Sequence, residues 1–154
     1  MQHEDGMQRR KELSLRLFIV MNRAVNWVNK HAEEDIQKSG LTQTEFAVME
    51  LLYHKGRQPL QQIGQKVLIS SGNITYVVDK LEKKGLLQRK PCPTDRRVIY
   101  AEVTEQGEKL IAEAFVGHEL ALMRAMEGLS DEELQEAAEL LKRLGLHAEQ
   151  RYKG

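Results

Sequence analysis

The sequence is poor in residues that cross-link or stiffen a chain. Its 154 residues include one cysteine, Cys92, and three prolines, and aromatic residues make up 5% of the total. A single cysteine excludes a disulfide-bonded scaffold. No apolar run approaches the roughly 20 residues of a membrane helix, and residues 1–13 lack the apolar centre of a secretory signal. These absences predict a cytoplasmic protein in a reducing environment, without membrane contact.

The charges balance overall but are unevenly distributed. The chain has 23 basic and 23 acidic residues. Ten basic and three acidic residues lie between Lys55 and Arg97, whereas residues 101–141 hold two basic and eleven acidic residues. A basic segment beside an acidic one is typical of a local polyanion-binding surface. The alternative interpretation is a solvated basic face without a partner.

Hydrophobic spacing predicts a mainly helical chain. Apolar residues recur every three or four positions over residues 8–38, which predicts an unusually long first helix. Residues 42–45 and 130–133 each fit a capping box, in which a hydroxyl and a glutamate three residues later satisfy the helix start. A further helix is predicted over residues 105–127. We expect the last helix to end at Gly145, since glycine commonly ends helices.

The middle of the chain predicts a helix pair followed by a hairpin. A short helix opens at Pro59, a tight apolar turn follows at residues 68–69, and a second helix ends at Gly85. Beyond it the hydrophobic period falls to about 2, which predicts strands over residues 86–90 and 98–103. A helix pair of this kind can place its second helix in the DNA major groove, and a cationic wing suits the adjacent minor groove. Helical hairpins are common, so the specificity of the pattern comes from the wing.

Two groups of side chains are positioned for DNA contact. Hydrogen-bonding groups cluster at the start of the second helix, and cations surround the hairpin and its tip. The candidate DNA-binding residues are Ser70, Ser71, Gly72, Asn73, Thr75, Tyr76, Lys80, Arg89, Lys90, Asp95, Arg96 and Arg97. Within this set, Asp95 is expected to hold a neighbouring arginine or cap the turn, because a carboxylate is a poor direct contact with phosphates.

The helix pair and the wing together resemble the MarR family of winged-helix transcriptional regulators. The similar stretch runs from Leu60 to Leu110 and includes ITYVVDKLEKKGLL and TDRRVIYAEVTEQG. The second segment carries the family's wing pattern of Asp, any residue, Arg, five residues and a hydrophobic-Thr pair, which is Val103-Thr104 in this chain. The flanking helices match in order and length. Gly72 and Tyr76 depart from the family pattern, in which arginine is common at the position of Tyr76. The resemblance therefore implies DNA binding but does not extend to the operator sequence.

The resemblance implies a homodimer that binds double-stranded DNA at a pseudo-palindromic operator, most often as a repressor. Residues 41–104 would form the winged helix-turn-helix lobe, and residues 1–40 and 105–154 a helical dimerisation region. Many members release DNA when a small aromatic or phenolic compound enters a cleft between dimer helices and lobe, and others respond to oxidants through cysteine. The chain also resembles members that control detoxification of quinones. Neither a cofactor nor a metal is expected.

Several residues have both a functional and a purely structural interpretation. The candidate effector-pocket residues are Phe18, Met21, Trp27, His31 and Tyr53. Residues of these types at helical spacing more often belong simply to a helical core. Cys92 lies among cations that favour its thiolate, so it is either an oxidant sensor or an inert exposed thiol. The five histidines show no pairing at helical spacing that would indicate a metal site.

Two other classes of function compete with DNA binding. An enzyme is disfavoured, because the sequence contains no nucleophile elbow, phosphate-binding loop or metal motif. A dimeric interaction module that has lost DNA binding is the second competitor, and the basic wing argues against it. A salt-dependent gel shift with genomic DNA would discriminate these alternatives.

Overall fold

The computed structural model describes residues 2–67 and 74–154, and it is mainly helical with one small sheet. In chain order, its elements are α1 (Gln2–Lys38), α2 (Gln43–Lys55), β1 (Gln58–Pro59), α3 (Leu60–Lys66), α4 (Ile74–Lys83), β2 (Leu87–Pro91), β3 (Ile99–Val103), α5 (Glu105–Met126) and α6 (Asp131–Lys153). The predicted class, mainly α with a small β-wing, is confirmed. Among the described residues, no helix is both long and apolar enough to cross a bilayer.

The helix starts follow the capping signals closely. The Thr42 hydroxyl accepts a hydrogen bond from the Glu45 backbone N–H at 3.1 Å, and the Glu45 carboxylate accepts one from the Thr42 N–H at 3.0 Å. Ser130 and Glu133 form the same reciprocal pair at the start of α6. Both predicted capping boxes are therefore confirmed.

The predicted end of the last helix was wrong. Helix α6 continues past Gly145 to Lys153. A glycine inside a helix costs only about 1 kcal/mol relative to alanine, and the residues that follow it, LHAEQRYK, include several good helix formers. The first helix also begins at Gln2, six residues before the predicted start.

The three strands form an antiparallel sheet in the order β1-β3-β2. The hairpin pairs Leu87 with Val103 and Pro91 with Ile99, as the change of hydrophobic period predicts. Strand β1 was not predicted, since two residues show no periodicity. Its Pro59 pairs with Tyr100 at the sheet edge, where proline is tolerated because the strand has a free side.

One hydrophobic core unites the helix pair, the sheet and the adjoining ends of the long helices. Its members are Ile36, Leu41, Phe46, Val48, Met49, Leu52, Ile63, Val67, Val78, Leu81, Leu86, Leu87, Ala101 and Ile111. Most belong to the segment between α2 and β3, while Ile36 and Ile111 come from α1 and α5. This placement fixes α4 and the hairpin relative to α2 and α3, and it packs these elements against α1 and α5.

The junction of hairpin and α5 is held by Thr104. Its hydroxyl donates to the Gly85 carbonyl at 2.6 Å and accepts from the Gly107 N–H at 3.1 Å, which caps α5. Its own N–H donates to the Leu86 carbonyl at 3.1 Å. The first turn of α5 lies so close to Leu86 that a Cβ at position 107 would be 2.0 Å from the Leu86 carbonyl oxygen. Only glycine fits there without a shift of the backbone.

We therefore expect Gly107→Ala to destabilise the fold. The new methyl group would overlap a backbone oxygen that cannot rotate away, so the loss should lie near the upper end of the roughly 1–3 kcal/mol typical of overpacking. Gly6→Ala in α1 is the matched control, because a Cβ there meets nothing within 4 Å. Denaturant unfolding measures both variants, and equal stability of the two would contradict the crowding at position 107.

Candidate nucleic-acid interface

Helix α4 presents a polar face away from the core. Val78 and Leu81 are fully buried, whereas Thr75, Tyr76 and Lys80 are exposed. The Lys80 ammonium lies 4.7 Å from the centre of the Tyr76 ring, and a hydrogen bond to Tyr76 raises the pKa of Lys80. The exposed face therefore combines an aromatic ring with a cation, a pair suited to a sugar or base beside a phosphate.

The tip of the wing fixes the guanidinium of Arg97. The Asp95 carboxylate accepts from the Arg97 backbone N–H at 3.0 Å, from Nε at 3.1 Å and from Nη2 at 3.2 Å. The Arg97 side chain is 89% exposed, so it points outward in a defined orientation. The hydrogen bonds from Arg97 hold the pKa of Asp95 below its usual value, and the carboxylate stays ionised throughout the neutral range.

The backbone of the tip is attached to the helix pair and to the strands. The Gln61 amide on α3 donates to the Arg97 carbonyl at 3.4 Å. Within the loop, the Val98 N–H donates to the Asp95 carbonyl at 3.1 Å, and the Cys92 N–H donates to the Val98 carbonyl at 2.9 Å. The position of the tip relative to α3 is thereby restrained. The sequence predicted the hairpin but contained no signal for the Gln61 bond, which joins residues far apart in the chain.

Two of the predicted DNA contacts are instead paired within the chain. Arg89 forms ion pairs with Asp79 and Glu82 of α4. Lys90 forms an ion pair with Glu102 on the neighbouring strand, and this contact holds the pKa of Glu102 below its usual value. A DNA-contacting role for Arg89 and Lys90 stays a prediction.

Cys92 lies on the wing, just beyond β2. Its Sγ is 3.3 Å from the Thr94 hydroxyl oxygen. Hydrogen bonding to Thr94 lowers the pKa of the thiol, and backbone contact with Thr94 and Asp95 adds to the effect. The thiolate fraction at neutral pH is accordingly higher than that of an ordinary cysteine.

The remaining predicted DNA-binding residues fall into two groups. Arg96 is exposed beside Arg97, where its side chain is open to solvent. Ser70, Ser71, Gly72 and Asn73 lie outside the described residues. The predicted apolar turn at residues 68–69 also lies outside them.

The predicted effector-pocket residues lie on α1 and α2. Phe18 and Trp27 are largely exposed, Met21 is half-buried, and Tyr53 packs edge-on against His54. His31 lines an open cleft of about 220 Å³ between α1 and α5. The cleft's other lining residues are Glu34, Asp35, Lys38, Gly117, Leu120, Ala121 and Arg124.

An ion pair missed by the sequence analysis anchors the exit of α4. Glu45 is buried, and its carboxylate accepts from the Lys84 ammonium at 2.7 Å in addition to capping α2. The sequence indicated the cap but not the ion pair, because Glu45 and Lys84 are 39 positions apart. Removal of Lys84 would leave the buried Glu45 carboxylate without its cation, so Lys84 has a structural function within the basic segment.

Comparisons with known proteins agree with this geometry. The family model described as the MarR family matches residues 41–99. The HTH-type transcriptional regulator MhqR of Bacillus subtilis is 55% identical over 139 residues, which cover 90% of this chain and 96% of that protein. The named relatives are transcriptional regulators and not enzymes.

Solved structures share the architecture. Bordetella bronchiseptica BpsR, whose DNA binding is regulated by 6-hydroxynicotinic acid, is similar with a TM-score of 0.76 and 23% identity, over 84% of this chain and 98% of that one. A cysteine-to-serine variant of MarR from E. coli in complex with operator DNA has a TM-score of 0.75 and 19% identity. The similarity covers 84% of this chain and 93% of that one. These two similarities establish the fold, and the close relative and the family model establish the family. The chain belongs to the MarR family of transcriptional regulators.

Proposed function

We propose that this chain is a homodimeric, operator-binding repressor whose helix α4 enters the major groove and whose wing enters the minor groove. The observation that carries the proposal is the wing tip, where an exposed arginine is held in one orientation by Asp95. A narrow minor groove concentrates negative potential and attracts such a side chain. The E. coli MarR structure in complex with operator DNA supports operator binding by a protein of this fold.

The dimeric part of the proposal rests on the exposed apolar faces of α1, α5 and α6. No residue of α6 is buried. The large exposed apolar residues of these helices include Leu13, Leu17, Phe18, Val20, Trp27, Val116, Leu120, Met123, Leu140, Leu141, Leu144 and Leu146. Monomeric proteins rarely expose contiguous apolar patches above a few hundred Å². A second copy of the chain would cover these faces with the same helices.

The dimer and the symmetry of its operator can be measured together. Light scattering should give the dimer mass at micromolar concentration, and selection of genomic fragments should yield an inverted repeat. Footprinting should show two half-sites roughly 34–36 Å apart, the spacing of two recognition helices about a two-fold axis.

A matched pair of variants tests the apolar face. Leu144→Glu places a charge on the exposed apolar face of α6 and should weaken the dimer, whereas Lys142→Glu changes the charge nearby without removing apolar surface. A stable wild-type monomer, or protection of one isolated half-site, would contradict the dimeric proposal.

The contribution of the wing is measured by removing its guanidinium group. Arg97→Ala should weaken operator binding by about 1–3 kcal/mol and lower the salt dependence by about one counterion. Asp95→Ala should also weaken binding, because Arg97 loses its orientation. The thermal stability of Arg97→Ala should hardly change, since exposed substitutions usually matter by less than about 0.5 kcal/mol.

Lys153→Ala is the control for net charge, because it removes one cation at the end of α6. Its operator affinity should equal that of the wild type. If Arg97→Ala also binds like the wild type at several salt concentrations, the minor-groove assignment is wrong, and Arg96 or Lys90 is the next candidate.

We further propose that a small aromatic, phenolic or quinone-like effector releases the repressor from its operator. Phe18, Trp27 and Met21 offer aromatic and thioether contacts on α1, and His31 with Lys38 and Arg124 lines the cleft between α1 and α5. Lys38 is paired with Asp35 at 3.5 Å, and Arg124 beside apolar surface suits a phenolate or carboxylate on an aromatic ring. The regulation of BpsR by 6-hydroxynicotinic acid supports an effector of this class.

Oxidant sensing through Cys92 is the second candidate, favoured by the lowered pKa of its thiol. One experiment separates the two. A phenolic acid and benzoquinone are added to the operator complex of the wild type and of Cys92→Ser, and release is followed by fluorescence anisotropy. Non-covalent regulation predicts equal release from both proteins by the phenolic acid. Cysteine sensing predicts that benzoquinone releases the wild type alone. Identical responses to benzoquinone would exclude Cys92 as the sensor.

A further inference from the structure

Arg89 attaches strand β2 to helix α4 through three separate contacts. Its backbone N–H donates to Glu82 Oε2 at 3.1 Å, and Nη1 donates to Glu82 Oε1 at 3.3 Å. Its Nη2 donates to the Asp79 carboxylate. The Arg89 side chain is 25% exposed, against 47% for Asp79 and 42% for Glu82. The guanidinium is thus the most enclosed member of the cluster.

The two carboxylates lie beside the face of α4 that is predicted to meet DNA. Asp79 is three residues from Tyr76 and four from Thr75, so these side chains neighbour one another on the helix. Without a cation, Asp79 and Glu82 would put two negative charges next to the phosphates. Arg89 cancels one charge and draws both carboxylates toward β2.

The same contacts set the rotation of α4 about its axis. Val78 and Leu81 bury one side of the helix, but hydrophobic contact is non-directional and allows small rotations. A planar guanidinium bound to two carboxylates one turn apart is directional. Binding sites generally need their side chains held to within about 0.5 Å, and base contacts by α4 would require the same accuracy.

We propose that Arg89 is a positioning residue that acts through Asp79 and Glu82, and that it is not a phosphate contact. This inference rests on the proposed DNA-binding function. It assigns the cations of the wing to two tasks. Arg97 and Arg96 face outward at the tip, while Arg89 faces α4 and orients it for base recognition.

The test compares Arg89→Ala with Arg96→Ala on two probes: a duplex of about three helical turns carrying the selected inverted repeat, and a scrambled duplex of equal composition. Loss of a positioning residue should lower operator affinity about tenfold, since one misaligned base contact is worth about that much. Affinity for the scrambled duplex should change much less. Loss of a phosphate contact in Arg96→Ala should weaken both probes equally. Equal weakening of both probes by Arg89→Ala would overturn the proposal.

A second comparison tests whether Arg89 acts through the carboxylates of Asp79 and Glu82. In the Asp79→Asn, Glu82→Gln background, Arg89→Ala should cost no more than about twofold in operator affinity, because neither carboxylate remains to be compensated. An undiminished tenfold loss in that background would show that Arg89 acts directly. Arg89→Lys keeps one charge and should restore part of the operator selectivity, and no restoration would count against the ion pairs.

A readout without DNA distinguishes a failure of this inference from a failure of the proposed function. Amide hydrogen exchange over residues 74–83 should be faster in Arg89→Ala than in the wild type and unchanged in Arg96→Ala, with both measured below their melting temperatures. Unchanged exchange in Arg89→Ala would overturn the positioning role. If the wild type selects no DNA, the proposed function fails, while the exchange comparison still decides whether Arg89 positions α4.

Discussion

The geometry of the molecule depends on one crowded junction around the Leu86 carbonyl oxygen. That oxygen accepts a hydrogen bond from the Thr104 N–H, and the first turn of α5 lies directly against it, where only Gly107 fits. Gly85, one residue earlier, has φ +74°, a conformation that favours glycine. The exit of α4, the end of the hairpin and the start of α5 therefore meet at one point with little room to move. A change in the orientation of α5 would therefore displace the end of α4 through the few short contacts at this junction.

The basic segment owes its properties to pairing as much as to its net charge. Lys84 is bound to buried Glu45, Arg89 to Asp79 and Glu82, Lys90 to Glu102, and Arg97 to Asp95. Each carboxylate removes some positive charge but fixes the direction of its partner. A diffuse positive field would attract any DNA. In the proposed operator complex, cations held at set positions on the helix and the wing would favour particular groove shapes over others.

The sequence predicted the architecture well, because its strongest signals are local. Capping boxes, the change in hydrophobic period and the loop before Arg97 are each contained within a few residues, and all of them correspond to observed elements. Contacts across long separations were missed, as with Glu45 and Lys84 or Gln61 and Arg97. Hydrogen bonds between residues so far apart in the chain produce no periodic pattern in the sequence.

The candidate site shows the same division. Residue type and position indicated the exposed wing arginines and the face of α4, and the structure places them accordingly. The sequence could not indicate which cations form ion pairs with carboxylates, because those pairs depend on how β2 lies against α4. The prediction that the last helix ends at Gly145 was wrong for a related reason. The helix-forming residues on both sides of this glycine outweigh its local tendency to end a helix.

The contact between Arg89 and Glu82 also protects an edge of the sheet. Strand β2 has a free side, and an unpaired row of N–H groups on such a side is a template for adding a strand from another molecule. The outward N–H of Arg89 is occupied by the Glu82 carboxylate, and Pro91, two residues on, has no N–H to offer. At the opposite edge, β1 is two residues long and ends in Pro59. Within the described residues, both margins of the sheet thus offer few N–H groups for the addition of a strand from another molecule, which disfavours association of two copies through their sheets.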